Sequence, residues 1–235
     1  MTILRTWAEN NQGKEVVMMR IPSGVTKVVN HRVDDEVIEK VKIDLEEFFK
    51  LPLKEKEVFP PLRVGLQGYG QKLGLNEEKQ EWSTLDKYLK ELKLVSMSLF
   101  ATIAKNLGLN PQVFNKVFKE LQRMRMNYYP PCPKANQVLG INPHSNAGAL
   151  TIHLQVSDVH GLQIKRNGQW LPVQPLPYAL TVNIGNALED FLVYVKIGVC
   201  MGFGVLTHSR SMEFTPCVFV AICLCTGSDQ GESRT

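Results

Sequence analysis

The residues whose types and spacing could do chemistry lie in one stretch, residues 127–146, which reads NYYPPCPKANQVLGINPHSN. Near the end of this stretch, His144 and Asn146 are separated by one residue, so both side chains could bind the same metal ion. A triplet of this kind normally ends in a carboxylate, which is a good ligand for a hard cation. Asn146 offers a neutral amide instead. The stretch therefore predicts a metal site with one unusual ligand.

The residues around this stretch alternate in character, which places it on a β scaffold. In residues 123–129, one set of side chains faces one way (Met124, Met126, Tyr128) and the other set faces the opposite way (Arg125, Asn127, Tyr129). A second alternating run covers residues 150–156. Asn167-Gly168 separates two more β-rich runs and is a strong hairpin signal. Several short strands joined by turns predict an antiparallel barrel or jelly roll.

The first half of the chain has a different period. Apolar residues at helical spacing predict helices over residues 34–50 and 84–107, and Asn110-Pro111 is typical of the start of a third. Their apolar faces indicate core packing rather than cofactor contacts. Short strands are expected at residues 16–19 and 25–29. The first half is thus predicted to be a helical layer that packs on the β region.

Composition excludes several classes of protein. The 235 residues are 44% hydrophobic and 21% charged, and the net charge is +4. Lysine and arginine alternate with acidic residues along the predicted helices, which indicates a solvated surface rather than a nucleic-acid interface. The apolar runs at residues 191–206 and 216–225 are interrupted or too short to span a membrane. Five cysteines without paired spacing favour a reducing compartment, and we expect a cytoplasmic protein.

The run RMNYYPPCPKANQVLGINPHSNAGALTIHLQVSDVHGLQIKRNGQWLPVQPLPYALTVNIGNALE resembles the plant iron(II)/2-oxoglutarate-dependent dioxygenases, an isopenicillin-N-synthase-like family. Within them it is most similar to the clade of senescence-related, norcoclaurine synthase-like and opium-poppy demethylase oxygenases. The resemblance covers about Val28 to Glu189. It implies an α+β fold, in which an N-terminal helical layer packs on an antiparallel double-stranded β-helix (jelly roll).

The resemblance also implies a reaction and a site. The family oxidises, hydroxylates or O-demethylates a small-molecule plant secondary metabolite and decarboxylates 2-oxoglutarate, with Fe(II), 2-oxoglutarate and ascorbate as cofactors. His144 matches the first iron ligand of the family, and Asn146 occupies the position of its aspartate. Asn127 and Tyr129 match residues that contact 2-oxoglutarate in relatives. Their common strand face agrees with that role.

The chain departs from the family after Glu189. Relatives continue into a distal histidine ligand and an Arg-x-Ser pair that anchors the far carboxylate of 2-oxoglutarate, and neither is recognisable here. His208 is the candidate substitute, but the distal ligand is expected near Cys200, so we interpret His208 as an incidental loop histidine. His153 and His160 are more typical of structural or exposed histidines.

Three regions follow from these patterns: residues 1–122 (mostly helical), 123–190 (a partial jelly-roll core) and 191–235 (a tail outside the resemblance). Relatives carry additional segments, so we expect an incomplete barrel that lacks its final strands. The abrupt change after Glu189 is typical of a translated intron or a frameshift. Two functions stay open: a dioxygenase with impaired activity, or a non-catalytic remnant with residual ligand or partner binding. The sequence does not indicate the oligomeric state.

Overall fold

The computed structural model describes residues 2–4, 17–20, 26–56, 83–118, 121–133, 139–159, 161–166, 168–194, 204–208 and 217–225. Two compact units are present: residues 32–94 form one, and residues 1–31 together with 95–235 form the other. His160 lies outside the described residues. The division into residues 1–122, 123–190 and 191–235 stays a prediction.

Helices in the described part of the chain follow the apolar periodicity of the sequence. They are α1 (Asp35–Lys50), α2 (Leu53–Lys56), α3 (Ser83–Asn106), α4 (Val113–Val117) and α5 (Asn186–Tyr194). The helices predicted over residues 34–50 and 84–107 are confirmed as α1 and α3. The side chains of α1 that are buried are the ones at helical spacing: Val37, Ile38, Val41, Leu45 and Phe48.

The third helix differs from its prediction because it begins later. The side-chain oxygen of Asn110 accepts a hydrogen bond from the backbone N–H of Gln112 at 2.9 Å, which holds the chain in a turn. Helix α4 therefore starts only at Val113. Its buried Phe114 lies 5.4 Å from Phe191 of α5, between ring centroids, in an edge-to-face arrangement. This contact belongs to the core of the larger unit.

In the described part of the chain, the strands form two antiparallel sheets. The strands are β1 (Thr2–Leu4), β2 (Val17–Arg20), β3 (Thr26–Val29), β4 (Leu121–Tyr129), β5 (Leu139–His144), β6 (Leu150–Gln155), β7 (Leu162–Arg166), β8 (Gln169–Pro172), β9 (Leu180–Ile184), β10 (Gly204–His208) and β11 (Cys217–Cys225). One sheet has the order β1-β2-β3-β9-β6-β11-β4 and the other has the order β5-β10-β7-β8. Two antiparallel sheets with helices confirm the predicted α+β jelly-roll class.

The sequence predicts a barrel that lacks its final strands, and this prediction is wrong. Residues 204–208 and 217–225 of the tail form β10 and β11. Strand β11 pairs with both β4 and β6, and β10 pairs with both β5 and β7. The run CVFVAICLC is rich in β-branched and aromatic residues, which explains its pairing as a strand. The resemblance could not show this, because it ends before the tail.

Strand β5 was not predicted from the sequence. Its residues include one glycine, one asparagine and one proline, and a single β-branched side chain, so its alternation is weak. Proline lacks the backbone donor that a central strand needs and is largely confined to edge strands. Pro143 is therefore consistent with the position of β5 at the edge of the four-stranded sheet. Among the described helices, none is both long and apolar enough to cross a membrane.

Replacing Arg32 with glycine tests the backbone strain that precedes α1. Arg32 has a φ of 72°, in the left-handed region that disfavours residues with a Cβ atom. We expect Arg32→Gly to raise the free energy of unfolding by about 1 kcal/mol, because the relieved strain of about 1–2 kcal/mol exceeds the entropy cost of about 0.5–1 kcal/mol. Urea denaturation measures the change. Arg32→Ala is the control, since it keeps the Cβ atom, and an equal gain from alanine would contradict the explanation.

Candidate functional site

His144 ends the edge strand β5, and its ring is held by its own strand. The Nδ1 atom lies 2.9 Å from the carbonyl oxygen of Asn142. A carbonyl oxygen can only accept, so Nδ1 carries the proton and donates it, and Nε2 keeps a lone pair. This is the tautomer and the backbone orientation in which histidines bind metal ions. His144 is only partly buried.

The loop after His144, residues 145–149, is fixed by the start of α5. The backbone N–H of Asn186 donates to the carbonyl oxygen of Asn146 at 2.7 Å, and the N–H of Ala187 donates to that of Gly148 at 3.3 Å. The side-chain amide of Asn186 also donates to the Ser145 hydroxyl at 2.9 Å. These bonds use the first, otherwise unpaired N–H groups of the helix. They therefore set the backbone position of Asn146.

Gly185 lets the loop approach this closely. Its N–H donates to the carbonyl oxygen of Ala149 at 2.9 Å. A Cβ atom at position 185 would lie 2.0 Å from the carbonyl oxygen of Gly148 and 2.8 Å from that of Asn146. Any side chain here would displace the loop, so the placement of Asn146 depends on a glycine at position 185.

One face of the seven-stranded sheet is polar. Residues directly opposite each other in antiparallel strands share a face. Thr151 of β6 pairs with Asn183 of β9, and His153 pairs with Thr181. Both threonines and Asn183 are buried. Buried polar side chains on one face indicate an internal site rather than an apolar core.

The predicted 2-oxoglutarate contacts lie on the same polar face. Asn127 of β4 and Gln155 of β6 both pair with Phe219 of β11, so Asn127 shares the face of His153. Tyr129 packs against the buried cluster of the four-stranded sheet, formed by Leu162, Ile164 and Val173. The polar face therefore looks toward the other sheet, into the barrel. The structure brings Asn127 and Tyr129 to the barrel interior, as their strand alternation indicates.

His153 is the residue whose position sequence analysis underestimated. It lies on the interior face, and its Nε2 is 3.2 Å from the side-chain nitrogen of Asn183. An amide nitrogen donates, so Nε2 accepts and the imidazole is neutral. Burial, and then the charge of His144, lowers the pKa of His153 to about 4. The signal was present in the alternation Thr151, His153, Gln155, which places the three side chains on one face.

His208 does not reach His144 through the sheet. Strand β10 pairs His208 with Leu139 at the start of β5, whereas Val205 lies opposite His144 at its end. Five residues of strand separate the two positions, which is about 16 Å at about 3.3 Å per residue. Ligands of one ion lie about 2 Å from it. We therefore leave His208 out of the candidate site.

The residues present fit only part of a facial iron site. His144 offers an imidazole whose Nε2 is unprotonated, and Asn146 offers a neutral amide oxygen on a backbone that the start of α5 holds. Within the described ranges, no three His, Cys, Asp or Glu side chains come together as a metal site. The donor set thus fits one strong ligand and one weak ligand of such an ion.

Comparison with known proteins agrees with this architecture. Residues 121–193 match the family model of the 2OG-Fe(II) oxygenase superfamily, and residues 14–96 match the model described as non-haem dioxygenase in morphine synthesis N-terminal. The chain belongs to the 2OG-Fe(II) oxygenase superfamily. Members of this superfamily use Fe(II) and 2-oxoglutarate and act on small molecules, so the predicted cofactors are those of the family.

Individual relatives confirm the clade. The chain is 38% identical to protein SRG1 of Arabidopsis thaliana over 197 residues, which cover 71% of this chain and 55% of that protein. It is 36% identical to thebaine 6-O-demethylase of Papaver somniferum, over 71% of this chain and 54% of that protein. The crystal structure of JOX2 in complex with 2OG, Fe and JA is similar with a TM-score of 0.75 at 27% identity, and covers 90% of this chain and 70% of that one. The chain spans about half the length of the curated relatives it matches.

Replacing Gly185 with alanine tests the contact that positions Asn146. We expect Gly185→Ala to lower the free energy of unfolding by about 1–3 kcal/mol, because the new methyl group must push the Gly148 carbonyl away. Thermal or urea unfolding measures the loss. Ser145→Ala removes only an exposed hydrogen bond of the same loop and is expected to cost less than about 1 kcal/mol. Equal effects of the two variants would show that the close approach is unimportant.

The pKa of His153 predicts a pH dependence of stability. The folded-state pKa of about 4 lies below the unfolded value of 6.5, so the unfolded chain binds the proton more readily between these values. The contribution of a neutral His153 is therefore complete above pH 6.5 and is lost as the pH falls toward 4, by up to about 3 kcal/mol. We expect His153→Leu to flatten the pH dependence in this window. Unfolding curves at several pH values measure it, and parallel profiles for the two proteins would refute the assignment.

Proposed function

We propose that this chain has the iron(II)/2-oxoglutarate dioxygenase function of its family in impaired form. The substrate would be a plant small molecule that is oxidised, hydroxylated or O-demethylated while 2-oxoglutarate is decarboxylated. His144 and Asn146 would hold the iron, and Asn127 and Tyr129 would contact 2-oxoglutarate. The observation that carries the proposal is the polar interior of the barrel, which contains Asn127 and Tyr129. His144, at the end of a strand of the other sheet, has an unprotonated Nε2.

Each residue has a role that its surroundings support. The bond from His144 Nδ1 to the Asn142 carbonyl leaves Nε2 unprotonated, so Nε2 could bind the metal. The N–H groups of α5 hold the backbone of Asn146, so its side-chain oxygen starts from a fixed position. Tyr129, packed against Leu162 and Ile164, keeps its ring in place and helps to exclude water from the interior. When bound, iron would supply the activation of oxygen that the side chains alone cannot provide.

The proposed iron site lacks a negatively charged ligand at position 146. Asn146 contributes no negative charge, whereas a carboxylate would neutralise half of the charge of a divalent cation. Changes to residues that only hydrogen-bond to a metal ligand typically alter metal affinity by about 10–100-fold, so the loss of a ligand's charge should have at least that effect. This observation favours the second candidate function, a non-catalytic remnant that keeps the fold and binds iron poorly.

Restoring the carboxylate tests the iron site directly. We expect Asn146→Asp to tighten binding of Fe(II), or of Mn(II) as an oxidation-resistant probe, by about tenfold or more, because a neutral ligand becomes anionic. Metal titration under anaerobic conditions measures it. Asn106→Asp is the matched control, since Asn106 ends α3 and is exposed, and it should leave the affinity unchanged. Equal metal affinities of the Asn146→Asp variant and the unaltered chain would show that the metal binds at another site.

Succinate release separates the two functions. The purified chain with Fe(II), ascorbate and 2-oxoglutarate releases succinate if it is a working dioxygenase, even without its own substrate. Release no higher than from a boiled control supports the non-catalytic remnant. Asn146→Asp alone should not restore turnover, because the Arg-x-Ser pair and the distal histidine of the family are not recognisable in the sequence. Full recovery in that variant would show that other residues supply those roles.

A further inference from the structure

A buried lysine lies on the polar interior face of the larger sheet. Lys27 of β3 is only 5% exposed. It pairs directly with Thr181 of β9, which pairs in turn with His153 of β6. Residues directly opposite in antiparallel strands share a face, so these three side chains form one row across the interior of the barrel.

No carboxylate in the described part of the chain compensates the charge of Lys27. Its ammonium group donates to the backbone carbonyl oxygen of Gln174. An ammonium group has three N–H donors, so two remain for another partner. Burial lowers the pKa of Lys27, which is the direction expected for a cation that lacks a counter-ion.

The neighbouring strands supply no acidic residue. Strands β3, β4, β6, β9 and β11 contain no aspartate or glutamate, whereas β4 adds Arg123 and Arg125. Arg125 is exposed and Arg123 is half-buried, so the buried positive charge on these strands is that of Lys27. A low-dielectric enclosure with charge of one sign concentrates ligands of the opposite sign. An anion in the barrel interior would be attracted by this positive charge, and these strands have no carboxylate that would repel it.

Two neutral groups of the row can add hydrogen bonds to such an anion. His153 accepts from Asn183 at Nε2, so its proton is on Nδ1, which makes no hydrogen bond within the described residues. The hydroxyl of Thr181 likewise has no partner there. An ammonium, an imidazole N–H and a hydroxyl in one row match the oxygen atoms of a carboxylate, which accepts hydrogen bonds and carries a full negative charge.

We propose that Lys27, Thr181 and His153 form a subsite that binds a carboxylate group of an organic ligand. This subsite proposal rests on the proposed function, since the ligand would share the barrel with iron and 2-oxoglutarate. Two sources have this chemistry: the far carboxylate of 2-oxoglutarate, and the carboxylate of a separate organic acid. The cation of the subsite is the ammonium group of Lys27. Its strand, β3, lies on the opposite side of β6 from β11.

Binding to the metal-free chain tests the subsite independently of iron chemistry. Isothermal titration calorimetry in the presence of a chelator would use 2-oxoglutarate, 3-phenylpropanoate and the uncharged 3-phenylpropanamide. We expect a carboxylate probe to bind, and Lys27→Met to weaken its binding about tenfold or more, because a charged hydrogen bond is lost. Lys40→Met is the matched control, since Lys40 is an exposed lysine of α1, and it should bind like the unaltered chain.

The probes also distinguish the sources. A Lys27-dependent affinity for 2-oxoglutarate alone assigns the cosubstrate, and one for 3-phenylpropanoate assigns a separate organic acid. No carboxylate binding, equal binding of the amide, or unchanged binding in Lys27→Met overturns the subsite and leaves Lys27 as an anchor for the Gln174 carbonyl. Failure of succinate release with intact Lys27-dependent binding would refute only the proposed function.

A second measurement does not depend on the folding of a variant. The carboxylate probe that binds should protect the Lys27 amine of the unaltered chain from acetylation, whereas Lys40 should react at the same rate with and without it. Peptide mass spectrometry quantifies both sites. Equal acetylation of Lys27 in the presence and absence of saturating probe would contradict the proposal.

Discussion

Strand β4 joins the larger sheet through β11, and the interior site depends on that pairing. In the described part of the chain β4 lies at the edge of its sheet, and its nine residues from Leu121 to Tyr129 all pair with β11. The other side of β11 pairs with β6. The distance between Asn127 and His153 is thus set by backbone hydrogen bonds to a strand from the tail. Backbone pairing needs a strand but no specific side chains.

The loop that carries Asn146, one of the proposed iron ligands, is positioned by a different kind of contact. There the loop of residues 145–149 rests on the first N–H groups of α5, and Gly185 makes the close approach possible. The backbone around Asn146 is therefore held in place, whereas its neutral side chain would be a poor ligand. In the proposed iron site these backbone contacts would position the ligands, and the chemistry would depend on the few side chains that the backbone carries.

Sequence patterns predicted much of the fold because they reflect burial. The alternation around Asn127 and the helical spacing of α1 each follow one face of one element. Strand β5, the late start of α4 and the pairing of the tail could not be predicted, because they depend on turn hydrogen bonds and on partners distant in sequence. For the site, alternation placed Asn127 and Tyr129 on one face, whereas the importance of Gly185 and Lys27 is visible only when other strands and loops are in place.

The central position of β11 has a consequence for how the protein folds. Its partners in β4 lie 88 to 104 residues earlier in the chain, from Tyr129 against Cys217 to Leu121 against Cys225. Contacts between distant residues require a large loop to close first, which slows folding. During synthesis, β4 and β6 leave the ribosome well before the strand that lies between them. Until residues 217–225 emerge, two strands of the barrel have unpaired edges facing each other, so the nascent chain is most open to association with other chains at that stage.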